Sequence, residues 1–483
     1  MSVTATPAGR TGGHGHAVVI GSGPAGLVAA RALANFMDQV TVIERDRVPH
    51  GPLRRRGVPQ ARHTHTLAVP AQQGLEELFP GIVKDLTTAG AVRLRMSKDM
   101  LVLGPAGWLP RFDSGLSLLS AGRDLIDAVL RDRLRTDTRV TFLQEHEATA
   151  LAPGRHDTVE GVWVRGRDRR ARDGFGPQRL IPADFVVDAS GRSSRAPQWL
   201  AELGYQPPGE TVVATRTTYA STVYAPPVGH TANWSALLLM GAPGDPRQGM
   251  LHPVEGGRWS VTLCAADGTP PPAGHAELLR AAAALRHPLL HDVIQAATPL
   301  GPVYGAHRLE NRWRHYEKLR RWPDGFLVVG DAFVTLDPAH GHGMTLAVES
   351  ALVLDRLLAA HGTASGLGFR LRWALAHQLA PAWRSSTRSA GAALPEREEA
   401  GGLRARLGRR YAARLATAAT TEPHAATVLL GRLQTAAAPP AGLPRPRRFR
   451  NVLAGARVPV PAAPPAGRAT WNGRSPFEPE KGG

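Results

Sequence analysis

Short apolar runs that stop at a glycine or an acidic residue, each followed by a stretch with helical spacing, set the pattern at both ends of the chain. Ala17-Val18-Val19-Ile20 is unbroken by any polar residue and leads into Gly21-Ser22-Gly23-Pro24-Ala25-Gly26, after which Leu27 to Ala34 is rich in alanine. A short continuous apolar run bounded by a turn signal marks a strand buried on both faces. The pattern therefore predicts strand, tight turn and helix. Val40-Thr41-Val42-Ile43 repeats the strand signal and ends in Glu44. Phe326-Leu327-Val328-Val329 repeats it again and ends in Gly330-Asp331. Beyond a loop, Thr345 to Leu358 carries apolar residues at Leu346, Val348, Leu352, Val353 and Leu357, which predicts a helix. Between about 206 and 304 the pattern changes to short strand-like runs, Ala236 to Met240 and Trp259 to Cys264, with a hairpin turn at Glu255-Gly256-Gly257. After Pro381, helices are predicted over Leu403 to Leu415 and Ala425 to Leu433.

The first strand, turn and helix place a Gly-x-Gly-x-x-Gly motif in the context that its chemistry requires. Gly21 permits the turn, Gly23 lets a pyrophosphate approach the backbone, and Gly26 lets helix and strand pack closely. The helix N-terminus adds free N–H groups and positive dipole. Glu44 follows the motif at the expected gap of about 20 residues, where a carboxylate accepts hydrogen bonds from a ribose. These features suit FAD and NAD equally, because both carry adenosine diphosphate. The second glycine-containing signature separates them. Asp331 ends a buried strand, where its side chain is suited to hydroxyls of a sugar-alcohol chain, and FAD has such a ribityl chain while NAD has none. Asp337-Pro338 and Gly341-x-Gly343-Met344 then open a helix whose free N–H groups are suited to the electron-rich edge of a flavin. Together the two signatures point to one bound FAD.

The chain up to about residue 450 resembles the FAD-dependent hydroxylases and epoxidases of the para-hydroxybenzoate hydroxylase type. Arg56 to His65, Ser120 to Arg123, Asp184 to Ser194 and Trp322 to Asp331 are similar to bacterial secondary-metabolite monooxygenases, among them the flavin epoxidases of polyether biosynthesis. The resemblance implies that Gly21, Gly23, Gly26 and Glu44 bind the adenosine half and that Arg123 reaches the diphosphate. It implies further that Asp331 holds the ribityl chain, and that Gly341, Gly343 and Met344 lie against the isoalloxazine. Two positions depart from the family pattern. Ala339-His340 stands where an aromatic residue often precedes the Gly-x-Gly, and Ala189-Ser190-Gly191 replaces an Asp-Gly pair associated with NADPH. The implied reaction is reduction of the flavin by NAD(P)H, directly or through a separate flavin reductase, addition of molecular oxygen to form a flavin C4a-hydroperoxide, and transfer of one oxygen atom to a lipophilic natural-product intermediate. Alkene epoxidation leads, with aromatic or allylic hydroxylation as the alternative. The Trp-x-Trp-x-Ile-Pro signature of tryptophan-type halogenases is absent. A flavin dehydrogenase or reductase without oxygen transfer stays open.

In such a mechanism the cofactor carries the chemistry and the protein excludes water. No nucleophilic triad is expected, and the single cysteine, Cys264, together with the absence of His-Glu-x-x-His, predicts no metal site. Asp337 and His63 are the candidate polar residues beside the ring. His63 and His65 alternate so that both imidazoles would face one side of a strand, either in the core or near the cofactor. His340 and His342 flank the flavin loop. Trp108, Trp234 and Trp259 are placed either in the substrate pocket or in the core.

The expected fold is α/β (α+β), a Rossmann-like FAD-binding domain of the GR2 type with an inserted β-sheet substrate domain and a C-terminal helical cap. Residues 1–16 are expected to be disordered. The FAD-binding domain takes 17–205, with about 101–114 set aside, and 305–380. The substrate sheet takes 206–304, C-terminal helices 381–451, and a flexible Pro/Ala-rich tail 452–483. The substrate is expected between sheet and ring. The formal charge of +18 raises a rival, a basic binding protein for nucleic acid. Its arginines are scattered, with local runs at Arg54–Arg56, Arg167 to Arg172 and Arg445 to Arg450 that suit solvated loops, the first of them also the FAD phosphates. No nucleic-acid partner is therefore expected. One cysteine, no apolar leader and no run of about 18 apolar residues predict a cytoplasmic protein without a transmembrane segment. The oligomeric state is left open.

Overall fold

The computed structural model of the 483-residue chain describes residues 15–434, apart from 56, 169, 172–173, 308, 339–340 and 393–402. Expectations for residues 1–14, for His340, for Arg445 to Arg450 and for the tail lie outside the described residues. His16, expected at the end of a disordered terminus, instead opens the first strand, and its backbone N–H donates to Asp184 Oδ2 at 2.8 Å.

Five parallel strands form the central sheet in the order Phe326–Val328, Phe185–Asp188, His16–Ile20, Gln39–Glu44 and Val140–Gln144. The apolar runs are buried because helices cover the sheet, as a parallel sheet requires. Helix Pro24–Leu33 leaves Ile20 through the glycine turn, and helix Gly343–His361 packs against it. Pro24 suits the first helical turn, where its missing N–H costs nothing. Gly23 caps that helix without a side-chain hydrogen bond, so the N–H groups of the first turn stay available.

A seven-stranded sheet roofs this domain. Its main path runs Thr298–Pro299, Thr218–Ala225, Arg258–Ala265, Gln248–Val254, Ala236–Leu239 and Met100–Leu103, and Tyr304–Ala306 also pairs with Thr218–Ala225. Met100–Leu103 lies outside the 206–304 segment, yet it pairs in parallel with Ala236–Leu239. Alternation divides each strand between two faces. In Arg258–Ala265, Trp259, Val261 and Leu263 face outward into an apolar cluster with Leu278 and Leu290. Ser260, Thr262 and Cys264 face inward. Trp108 and Trp259 are buried in the outer cluster and Trp234 packs against it, so these tryptophans are core and do not line a pocket under the sheet.

The hairpin turn between Gln248–Val254 and Arg258–Ala265 ties roof to floor. Glu255 Oε2 accepts the backbone N–H of Gly122, the residue that precedes helix Arg123–Arg135, at 2.8 Å, and Oε1 pairs with Arg258 at 2.9 Å.

Helices Leu403–Ala418 and Pro423–Gln434 cover one end of the roof, packing Leu415, Ala426 and Leu430 against Leu94, Met96, Met100 and Val102. Each fully buried leucine contributes roughly 2 kcal/mol. The boundary expected at 380/381 falls inside one helix, Leu367–Ala392, which continues through Pro381. Burial of Leu375, Leu379 and Ala382 in the main core offsets the hydrogen bond that proline removes. Among the described residues no helix is long and apolar enough to cross a membrane.

Candidate functional site

The glycine turn is built by steric necessity. Gly21 has φ of +101°, and a Cβ on Gly26 would stand 1.9 Å from the Gly21 carbonyl oxygen. Gly23 differs, since a Cβ there would meet only the Arg123 guanidinium, at 4.0 Å. Open space, free helix N–H groups and a guanidinium thus converge where a diphosphate would lie. The residues fit the adenosine half of FAD at this point.

Behind the turn runs a buried row of alternating charge. Glu44 Oε2 accepts from Ser22 Oγ at 2.6 Å, from Ser22 N at 3.1 Å and from Arg55 Nη1 at 3.1 Å. Arg55 Nη2 reaches Asp127 at 3.0 Å, and Asp127 accepts Arg123 Nε at 2.7 Å. The four side chains are each under a tenth exposed. Glu44 ends strand Gln39–Glu44 at the position expected to meet a ribose; Ser22 and Arg55 engage its Oε2, and its Oε1 accepts the Asp46 N–H at 3.0 Å, as a buried carboxylate must be paired. Arg55 is a buried member of the site and not a solvated loop residue. The sequence singled out Glu44, Arg123 and the Arg54–Arg56 run separately, but nothing in it joined them to one another through Asp127.

Asp331 sits in the turn Gly330–Ala332. Gly330 has φ of +63°, and a Cβ there would come within 2.6 Å of Ala25 Cβ, so the turn rests on the start of helix Pro24–Leu33. The two signatures, far apart in sequence, therefore meet. The Asp331 side chain is solvent-accessible but closely surrounded by protein, as on the wall of a deep cleft, and this burial raises its pKa against the lowering pull of Arg192, Arg123 and Arg314. Arg314 positions the turn by donating to the Ala332 carbonyl at 3.0 Å and to the Arg192 carbonyl at 2.9 Å, while Glu210 holds its Nε at 3.0 Å. In the altered Ala189-Ser190-Gly191 stretch, Ser190 Oγ and Ser194 Oγ each donate to Asp188 at 2.5 Å; burial still raises the Asp188 pKa.

Asp337 is buried and held from two sides. Tyr219 OH of the roof donates to Oδ1 at 2.7 Å, and the Asp337 N–H donates to Asn311 Oδ1 at 2.8 Å. Burial, then Cys264 and Asp337, hold the Tyr219 pKa well above its usual value. Gly341, at φ of +66°, and Gly343 both face open space, and helix Gly343–His361 begins there with Met344 buried. His342 is the N-cap of that helix and makes no side-chain cap.

His63 and His65 do not share a face. They lie between the turn Pro59–Arg62 and the short strand Thr66–Leu67, and they diverge. His63 Nδ1 meets Ser221 Oγ of the roof at 2.9 Å, whereas His65 Nδ1 donates to the His63 carbonyl at 2.8 Å and lies near Arg123 and Asp127. Burial and then Arg123 push the His65 pKa down to about 3; burial and then Arg62 lower that of His63. Thr64, between them, reaches Ser260 Oγ at 2.7 Å and Thr262 Oγ1 at 2.9 Å. The sequence carried no signal for this hydroxyl cluster, because its members come from three separate segments.

A separate recess of about 320 Å³, lined by Arg45, Asp46, Gly57, Glu145, Glu147, Arg167 and Phe175, opens beyond the end of strand Gln39–Glu44. Its mixed charges suit no lipophilic molecule. Among the described residues no group of three His, Cys, Asp or Glu side chains is placed to hold a metal ion.

Comparison with known proteins places this geometry. Protein Rv3254 of Mycobacterium tuberculosis is 34% identical over 382 residues, which cover 76% of this chain and 78% of the relative. Among solved structures, the probable FAD-dependent monooxygenase pqsL of Pseudomonas aeruginosa superposes with a TM-score of 0.57 at 16% identity, covering 78% of this chain and 95% of that one. A flavoprotein/dehydrogenase of Cytophaga hutchinsonii gives 0.60 at 16% identity over 87% and 92%. The myxobacterial chondrochloren halogenase CndH gives 0.54 at 19% identity over 77% and 79%. At these identities the structures share the fold. The family model described as FAD binding domain matches residues 15–367, and the glycine turn and Gly330–Asp331 meet at the start of helix Pro24–Leu33, so the chain belongs to that family of flavoproteins, with FAD as cofactor.

Proposed function

We propose that this protein is an FAD-dependent monooxygenase that transfers one oxygen atom of O2 to a lipophilic natural-product intermediate, with alkene epoxidation as the leading reaction and NAD(P)H as the source of electrons. The observation that carries the reading is that Gly330, beside Asp331, rests on Ala25 of the glycine turn while Asp337 of the same stretch is held by Tyr219 on the inner face of the roof sheet. FAD supplies the redox and oxygen-transfer chemistry when bound. Arg123 and the N-terminus of helix Pro24–Leu33 bind the diphosphate, and Asp331 accepts hydrogen bonds from sugar-alcohol hydroxyls. The N-terminus of helix Gly343–His361 offers positive dipole to an electron-rich ring edge. The roof excludes water, and Tyr219 and Ser221, two residues apart on one strand, hold Asp337 and His63.

The test is anaerobic addition of NADPH to the FAD-loaded protein, followed by oxygen and a panel of alkenes and phenols. Bleaching of the flavin band, then oxygen uptake matched by product carrying one atom of labelled O2, is the expected result. An epoxide supports the leading reaction, and a hydroxylated product moves the assignment to the hydroxylase reading. Turnover to a dehydrogenated or halogenated product with no oxygen incorporated overturns it. If the band persists with NADPH alone, repeating the assay with a flavin reductase tests the indirect route for the electrons.

A further inference from the structure

The inner face of the roof carries a row of hydroxyls that ends on an imidazole. Ser260 Oγ lies 2.7 Å from Thr64 Oγ1, Thr64 Oγ1 lies 2.9 Å from Thr262 Oγ1, Thr262 Oγ1 lies 2.6 Å from Ser221 Oγ, and Ser221 Oγ lies 2.9 Å from His63 Nδ1. Strand pairing puts Ser221 opposite Thr262 and His252 opposite Ser260, so the row follows the register of the sheet.

A hydroxyl has one proton to give, and the row has as many links as hydroxyls. If the protons point towards His63, Ser260 donates to Thr64, Thr64 to Thr262, Thr262 to Ser221, and Ser221 to a bare Nδ1. Every proton then has an acceptor. If they point the other way, the proton of Ser260 is left over. No further partner of Ser260 Oγ is found among the described residues, and both ring nitrogens of neighbouring His252 are buried without one. A buried donor without an acceptor costs about 1–3 kcal/mol, more than an acceptor that goes partly unused. Ser260, Thr262 and Ser221 are all buried.

We propose that this one-way row fixes His63 as the Nε2–H tautomer, with Ser221 as its positioning residue, and that His63 donates a hydrogen bond to a carbonyl or phenolate oxygen of the molecule bound beneath the roof. Among the described residues Nε2 makes no hydrogen bond. Arg62, His65 and the Tyr219 ring, 6.3 Å away, are the titratable groups around it. His65 takes the opposite form. Its Nδ1 must carry the proton, because the His63 carbonyl can only accept. The tautomer stands on the hydroxyl row alone, while the class of bound molecule rests on the proposed oxygen transfer.

Ring 15N shifts of the FAD-loaded, histidine-labelled full chain test the first part, with His63→Gln and His65→Gln assigning the signals. The expected spectrum near pH 7 shows two neutral rings of opposite tautomer, His63 protonated at Nε2 and His65 at Nδ1. Ser221→Ala should raise the Nδ1–H fraction of His63, Ser221→Thr should restore the original form, and Thr262→Val should act as Ser221→Ala does. A wild-type His63 that is cationic or protonated at Nδ1 overturns the tautomer, as does a spectrum that Ser221→Ala leaves unchanged. For the second part, 4-nitrophenolate is titrated against the flavin spectrum of the FAD-loaded protein. Affinity retained in His63→Gln, which keeps an N–H donor, and weakened about tenfold or more in His63→Leu is expected. Equal affinity in both variants, or no binding to the wild type, overturns the acceptor assignment and leaves the oxygen-transfer reading to its own assay.

Discussion

The two ends of the cleft solve the problem of buried polarity in opposite ways. At the glycine turn the protein buries full charges in alternation, Glu44, Arg55, Asp127 and Arg123, each within 3.1 Å of its neighbour. Under the roof it buries hydroxyls, a tyrosine and imidazoles whose pKa is pulled down, with Asp337 held by Tyr219. The first end suits an anion of fixed shape. The second surrounds its one carboxylate with hydroxyls and with imidazoles held neutral by burial, which suits a lipophilic molecule and a reaction that water would spoil. Charge surrounds the end fitted to the cofactor's diphosphate, and neutral polarity lines the end where the proposed substrate would bind.

Removing one member of the charged row breaks this contrast most severely. Asp127→Ala leaves Arg55 and Arg123 buried without their shared carboxylate and is expected to cost about 3–5 kcal/mol, together with loss of FAD, as read by chemical denaturation and flavin retention. Acid should act through one buried imidazole at each end. His65, beside Arg123 and Asp127, is held down to about 3 and His252, in the roof, to about 4, both chiefly by burial, against an ordinary value of 6.5. The unfolded chain therefore binds the extra protons, so stability falls as the pH drops from about 6.5 towards 4, with uptake on unfolding approaching two protons. A stability curve flat through that window would show these imidazoles to be solvated. Tyr219→Phe sharpens the comparison by leaving Asp337 without its hydroxyl donor, at an expected cost of about 2 kcal/mol with FAD still bound. Asp132→Asn, which removes a surface pair with Arg135, should change stability by less than about 0.5 kcal/mol and calibrates the others.

The cofactor end was the more legible in the sequence, because its geometry rests on glycines and strand ends that local pattern reveals. Gly21, Gly26, Gly330 and Asp331 occupy the turns that the apolar runs announced. Arg55 was opaque. It stands in a run of three arginines that resembles a solvated loop, and only the fold brings Glu44 and Asp127 to it. The alternation of Trp259 to Cys264 showed two faces, but nothing local told which one would meet the floor, so tryptophans that belong to the outer core were candidates for the pocket. Pro381 reads as a boundary by local rule, which cannot weigh the burial that carries a helix through it. The hydroxyl row depends on the register between Thr218–Ala225 and Arg258–Ala265 and on the approach of Thr64, all long-range facts.

Glu255 gives the two ends a mechanical link. Its carboxylate grips the Gly122 N–H at the root of the helix that carries Arg123, and a Cβ on Gly122 would meet that carboxylate at 2.6 Å. A tilt of the roof hairpin therefore drags on the guanidinium beside the glycine turn, and loading the turn stiffens the hairpin in return. Amide hydrogen exchange in Gln248–Val254 should slow when FAD binds, although that strand belongs to the roof.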